Sequence, residues 1–319
     1  MINEIKIMDM QEVHINDSIK IWNSQYNLYC KSKEFPQYWK EDNSLMEKFL
    51  EDKIFSKAVS VAIMGERVVG FLAYDEFPFH GEKSVFCPAI GHAAIEEYKE
   101  SVYLKLYQSI SEKWVSRGIF NHMWTIFCGD IKLQQILFDL GYGSYLIDAS
   151  TSCEKKSKVD TTVDIRKASI QDIHLLLELV GESAYYYASA PIFLKRDQIT
   201  YGELEELVVE NNVYIAWYEE VPIGFINLSI SKENNIFDLT VENSGLIDEI
   251  GMYLKFEYRS KGIGLAMLEF VKNYCKDMGI AYLHVDFETA NLYGNKFWRK
   301  HFKPMLLSMR RTINKDIND

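Results

Sequence analysis

Met252-Tyr253-Leu254-Lys255-Phe256-Glu257-Tyr258-Arg259-Ser260-Lys261-Gly262-Ile263-Gly264-Leu265-Ala266 is the most informative stretch of the chain. An apolar strand pattern ends at Leu254, a basic segment with two glycines follows, and an amphipathic helix pattern begins. The first N–H groups of a helix have no intrahelical acceptor, and the helix dipole makes that end attractive to an anion. Gly262 and Gly264 leave room for phosphate oxygens to approach the backbone, and Arg259 and Lys261 add positive charge. The plain alternative is a helix start with solvated basic residues. A dinucleotide loop needs a third small residue where Met267 stands, although Asp286 lies where a ribose-binding acid would.

Elements of both periods surround this loop. Val163–Lys167 reads as a strand, Ile170–Tyr187 and Tyr201–Glu210 as helices, and Val213–Trp217 with Ile223–Ile230 as a hairpin. Phe237–Val241 and Leu246–Leu254 read as strands. Gly264–Met278 reads as a helix, Ala281–Phe287 as a strand and Leu292–His301 as a helix. Alternating helices and strands imply a mixed α/β fold whose sheet is partly parallel.

The first half echoes this order. Gly65-Glu66-Arg67-Val68-Val69-Gly70 parallels Glu219-Glu220-Val221-Pro222-Ile223-Gly224, and Glu97-Tyr98-Lys99 parallels Glu257-Tyr258-Arg259. Leu140-Gly141-Tyr142 parallels Lys300-His301-Phe302. The reading is two tandem domains, 1–152 and 163–319, joined by a polar linker at 153–162. The chain's 319 residues suffice for two domains with ordinary cores. A net charge of −11 disfavours a nucleic-acid backbone or an anionic membrane as partner. Five scattered cysteines show no zinc or CxxC spacing, and no metal site is expected. With no apolar leader at Met1–Met10 and no long apolar run, a cytoplasmic location is expected.

Arg259-Ser260-Lys261-Gly262-Ile263-Gly264 resembles the acyl-CoA signature of the GCN5-related N-acetyltransferases (GNAT): Arg or Gln, two residues, Gly, one residue, Gly or Ala. Asn291-Leu292-Tyr293-Gly294-Asn295-Lys296-Phe297-Trp298 resembles the same family's final motif, and the duplicated layout resembles its tandem members, such as mycothiol synthase. The resemblance implies a GNAT-like fold in each half and acetyl-CoA as cofactor. It implies that Met252, Tyr253, Leu254, Arg259, Ser260, Lys261, Gly262, Ile263, Gly264, Leu265 and Asn291 hold that cofactor. In the first half, Val102 and Leu104 stand where Gly262 and Gly264 stand, so that half is expected to be degenerate.

Acetyl transfer to an amine of a small molecule or peptide is the expected activity. A primary amine of pKa ~10 arrives protonated and needs a base. On a continuous strand Leu246–Leu254, Glu249 shares a face with Gly251 and Tyr253, which makes Glu249 the first candidate. It also resembles the place where some family members carry a catalytic Glu. Asp286 is the second candidate, on one face with His284 and Glu288. The tyrosines Tyr185 and Tyr186, with Tyr253, are candidate acceptor-pocket residues. Trp298 departs from the family's pattern, since the general-acid Tyr belongs there and an indole is no acid at useful pH. That departure keeps open a non-catalytic acyl-CoA-binding or interaction protein.

Overall fold

The computed structural model describes residues 4–154 and 163–318. Positions 155–162 of the expected linker lie outside the described residues. The chain divides into two compact units: Met1–Ile147 with Asn235–Leu239 and Pro304–Asp319, and Asp148–Asn234 with Thr240–Lys303. The division therefore differs from a clean cut into 1–152 and 163–319.

The first unit contains β1 (Ile5–Asp9), α1 (Ile15–Tyr29), α2 (Tyr38–Glu41), α3 (Ser44–Phe55), β2 (Val59–Met64), β3 (Arg67–Ala73), β4 (Asp75–Phe79) and β5 (Glu82–Cys87). It continues through β6 (His92–Ala94), α4 (Lys99–Ser116), β7 (Asn121–Phe127), α5 (Ile131–Asp139) and the start of β8 (Gly143–Ser152). Strands β1-β2-β3-β6 form one antiparallel sheet. β5 pairs with β4 antiparallel and with β7 in parallel.

The second unit contains β9 (Asp164–Lys167), α6 (Ile173–Ala188), α7 (Tyr201–Glu210), β10 (Asn212–Tyr218), β11 (Val221–Ile230), β12 (Gly245–Ile247), β13 (Met252–Leu254), α8 (Ile263–Asp277), β14 (Tyr282–Glu288) and α9 (Leu292–His301). The last strand, β15 (Lys303–Thr312), pairs antiparallel with β7, which is why the C-terminal residues belong to the first unit. Strand order in the second unit is β14-β12-β11-β10-β9, with β12 parallel to β14 and β13 paired to β11.

Local chemistry explains these elements. Thr200 caps α7, its hydroxyl accepting from the Glu203 amide at 3.3 Å while the Glu203 carboxylate accepts from the Thr200 amide at 2.7 Å. α6 buries Ile173, Leu176 and Leu179 against Leu204, Val213, Ile215 and Phe225. Each such burial contributes roughly 1.5–3 kcal/mol. In α8, Ala266, Met267, Val271 and Cys275 are inward at helical spacing.

Two strand expectations are corrected. Phe237–Val241 is not a strand. The Leu239 carbonyl accepts from Trp39 Nε1 at 2.7 Å within the first unit, and the Val241 carbonyl accepts from the Ser244 amide at 3.2 Å within the second, so neither joins a strand ladder. Leu246–Leu254 is not continuous. It breaks into β12 and β13 at a turn closed by the Gly251 amide donating to the Asp248 carbonyl at 2.6 Å. Among the described residues, no helix is long and apolar enough to cross a membrane.

Candidate functional site

The break between β12 and β13 opens the sheet. β12 stays beside β14, with Ile247 opposite Val285, whereas β13 pairs only with β11 among the described residues. The Asn227 amide donates to the Gly251 carbonyl and the Lys255 amide to the Ile223 carbonyl, both at 2.9 Å. Those bonds fix which residues face β11. In an antiparallel pair the alternate residues turn their polar groups the other way. Met252 and Leu254 therefore direct their N–H and C=O groups to the open edge of β13.

Beyond β13 the chain bends back on itself. The Leu254 carbonyl accepts from Arg259 Nε at 2.9 Å. Ser260 and Gly262 have left-handed backbones, φ +61° and +83°. Gly262 is the N-cap of α8, and the first helical bond runs from the Ala266 amide to the Gly262 carbonyl at 3.0 Å. The amides of Ile263, Gly264 and Leu265 precede that bond and point out of the helix start. A Cβ on Gly262 would meet nothing within 4 Å, so the space in front of the loop is open. Lys261 lies 5.6 Å from the Tyr258 ring centre, at the exposed rim of this loop.

The Arg259 guanidinium sits among aromatic rings: 4.5 Å from the centre of Tyr186, 5.5 Å from Tyr293, and 5.7 Å from both Tyr253 and Phe256. Its Nη1 is buried and has no acceptor among the described residues. Tyr186 donates its hydroxyl to Asn291 Oδ1 at 2.8 Å, and the same oxygen caps α9 by accepting from the Gly294 amide at 3.0 Å. Tyr185, Tyr186 and Tyr253 line one recess of about 490 Å³ with Glu182, Phe256 and Arg259. The Tyr253 hydroxyl donates to Glu182 at 3.1 Å, and burial, with that carboxylate beside it, pushes its pKa up to about 12.

The acids separate clearly. Glu249 is exposed in the turn, with φ +56°, and does not share a strand face with Gly251 and Tyr253. The neighbouring Asp248 is the acid that the turn holds inward, accepting from the Ser229 hydroxyl at 2.7 and 2.8 Å. Where β12 leaves β14, register continues Asp248 towards Asp286. Asp286 combines a solvent-accessible surface with a crowded protein environment. That burial, together with the charge of Glu288, pushes its carboxyl up to about 6, against the opposing pull of Arg196. Glu288 is 9% exposed on the same strand face. Burial likewise pushes Tyr187 up to about 12, and holds His284 neutral with a pKa near 3. Arg196 stacks on Tyr187, 3.6 Å from its ring centre.

Sequence reasoning missed Asp248, Glu182 and Arg196. A continuous strand pattern hides the turn, and the other two lie on α6 and in the loop after it. Trp298 is 8% exposed and packs at 5.4 Å, edge to face, on Phe302.

Among the described residues, no group of three or more His, Cys, Asp or Glu could hold a metal ion. Residues 179–302, spanning the loop, α8 and α9, match the family model described as the acetyltransferase (GNAT) family. No curated protein matches the chain. The fold is similar to that of a GCN5-related N-acetyltransferase from Sphaerobacter thermophilus, at 11% identity and TM-score 0.59, covering 97% of this chain and 96% of that one. It is also similar to a GCN5-related glucosamine N-acetyltransferase region in a fungal multi-domain GH3 beta-N-acetylglucosaminidase, at 13% identity and TM-score 0.52, covering 97% of this chain and 38% of that one. The open edge of β13, the glycine loop before α8 and the cap of α9 all lie inside the segment that matches the acetyltransferase (GNAT) family model, and the mixed α/β fold of the chain is similar to that of GCN5-related N-acetyltransferases.

Proposed function

We propose that the second unit transfers an acetyl group from acetyl-CoA to an amine of a small molecule or peptide, and that the first unit is a degenerate copy of the same domain. The carrying observation is the loop before α8, with outward amides, open space at Gly262 and a buried Arg259 Nη1 that lacks an acceptor. Those features suit a pyrophosphate-bearing cofactor. Ser260, Lys261, Gly262, Ile263, Gly264 and Leu265 would hold the pyrophosphate, with Met252, Tyr253 and Leu254 beside the remainder of the cofactor.

Acetyl-CoA supplies an activated thioester, whose thiol of pKa ~8.5 is a competent leaving group without obligatory acid help. The Leu254 N–H, on the unpaired edge of β13, is the donor for negative charge developing on oxygen. Asp286 accepts the proton of the acceptor ammonium, because a carboxyl near 6 is both ionised at neutral pH and basic enough for the transfer. This reading moves the base from Glu249 to Asp286. The buried Trp298 supplies no proton, so departure proceeds without a tyrosine acid at that position.

The test is calorimetric titration of CoA and acetyl-CoA, paired with thiol release against pooled amines. One-to-one binding with acetyl-dependent thiol release supports the reading. Binding without release for any amine leaves the non-catalytic acyl-CoA-binding alternative, and no binding at millimolar cofactor removes both.

A further inference from the structure

The two units place three side chains at equivalent positions and make opposite use of them. In the first, Tyr29 ends α1, Lys99 opens the segment after β6, and Asp130 caps α5 by accepting from the Leu133 amide at 3.1 Å. In the second, Tyr186 lies near the end of α6, Arg259 follows β13, and Asn291 caps α9. The equivalence is structural. β6 pairs Ala94 with Gly70 as β13 pairs Leu254 with Gly224, and each strand leads through one turn of 3-10 helix to the cation.

The first unit closes its cation internally. Lys99 is fully buried and donates to Asp130 at 2.8 Å and to the Tyr29 hydroxyl at 2.7 Å, with Glu96 at 2.6 Å. Three donors meet three acceptors. α4 begins at Lys99 itself, so the loop that precedes α8 has no counterpart. The second unit leaves its cation open. Its cap is a neutral amide whose Oδ1 is already filled by Tyr186 and Gly294, and Arg259 Nη1 has no acceptor among the described residues.

We propose that the neutrality of Asn291 is a specificity determinant. It leaves the Arg259 charge uncompensated and available to the anionic end of the cofactor, whereas a carboxylate at this cap converts the same arrangement into an internal ion pair. The inference rests on the reading of the α8 loop as a cofactor site.

The experiment is calorimetric titration of CoA into wild type, Asn291→Asp, Asn291→Ser, Arg259→Gln and the Arg259→Gln/Asn291→Asp double variant. Asp is as good a cap as Asn, so α9 persists, which the thermal midpoint checks. Asn291→Asp is expected to weaken CoA by about tenfold or more. Asn291→Ser, which keeps a capping oxygen and adds no charge, should lose far less. In the Arg259→Gln background the Asp substitution should lose markedly less than in wild type, since its target is gone. Unchanged affinity in Asn291→Asp, or additive losses in the double variant, overturns the inference while leaving the cofactor site standing. A wild-type chain that binds no CoA overturns the functional reading instead.

Discussion

Gly224 lies so close to Tyr253 that a Cβ on the glycine would stand 2.5 Å from the Tyr253 carbonyl oxygen. That approach holds β13 against β11 while its other edge stays open. Gly70 repeats it in the first unit, where a Cβ would stand 2.8 Å from the Ala93 carbonyl oxygen and 2.5 Å from a Val102 methyl carbon. The clash is with backbone in both cases, and neither strand can yield without losing its ladder. Gly224→Ala is therefore expected to destabilise the fold by about 1–3 kcal/mol in denaturant unfolding, as overpacking does. It should also weaken CoA, because the displaced β13 carries Leu254. An alanine variant as stable as wild type would refute this account of the repeated glycine.

Lys99 is a buried ammonium whose burial pulls its pKa down, while hydrogen bonds to Asp130, Glu96 and Tyr29 outweigh that pull and leave it raised. Removing the buried carboxylate strands a charge. Asp130→Ala is expected to cost about 3–5 kcal/mol in unfolding free energy, since the cap of α5 is lost as well. Lys99→Met with Asp130→Asn should recover much of that, because an apolar stem and a neutral cap need no ion pair. The comparison of the two unfolding curves decides whether the cluster is structural.

Much of this was legible in the sequence because helix periodicity is long-range. Tyr201–Glu210 and Leu292–His301 coincide with α7 and α9, and the loop from Arg259 to Gly262 precedes a helix as its glycine implies. The site's acids were less legible. A four-residue interruption at Asp248–Gly251 leaves the apolar alternation of Leu246–Leu254 intact on paper, yet it turns Glu249 outward and Asp248 inward. Strand exchange at the C-terminus was equally hidden, since nothing in Lys303–Thr312 names β7 as its partner.

Asp286 fixes the sign of two pH effects. Its carboxyl is raised to about 6 by burial and by Glu288, so a base at this position is ionised only above that pH. The rate of acetyl transfer is expected to climb as pH rises through about 6, and Asp286→Asn should remove the limb with most of the activity. Glu249→Gln should keep both, because its side chain is exposed in the turn. Stability runs the opposite way. The folded carboxyl binds a proton more tightly than the unfolded one, so unfolding free energy falls as pH rises from about 4 to about 6. Asp286→Asn should therefore be more stable than wild type at pH 7, by roughly 1 kcal/mol once solvent screening of the accessible side chain is allowed for. A flat rate profile across this window would reject Asp286 as the base.

Gly262 separates space from backbone. Nothing lies within 4 Å of its absent Cβ, so a small side chain meets no protein atom, but φ is +83°. An L-residue with a branched side chain resists that conformation, whereas Asn enters it at lower cost. Gly262→Val is thus expected to abolish CoA binding by re-aiming the outward amides at the start of α8, with the far-ultraviolet dichroism of the fold retained. Gly262→Asn should keep the loop's backbone and lose affinity only as far as its side chain fills the open space. If the two variants bind CoA equally well, the left-handed cap is not what shapes the site. If Asn fails as completely as Val, occupancy of that space, rather than backbone conformation, is the requirement.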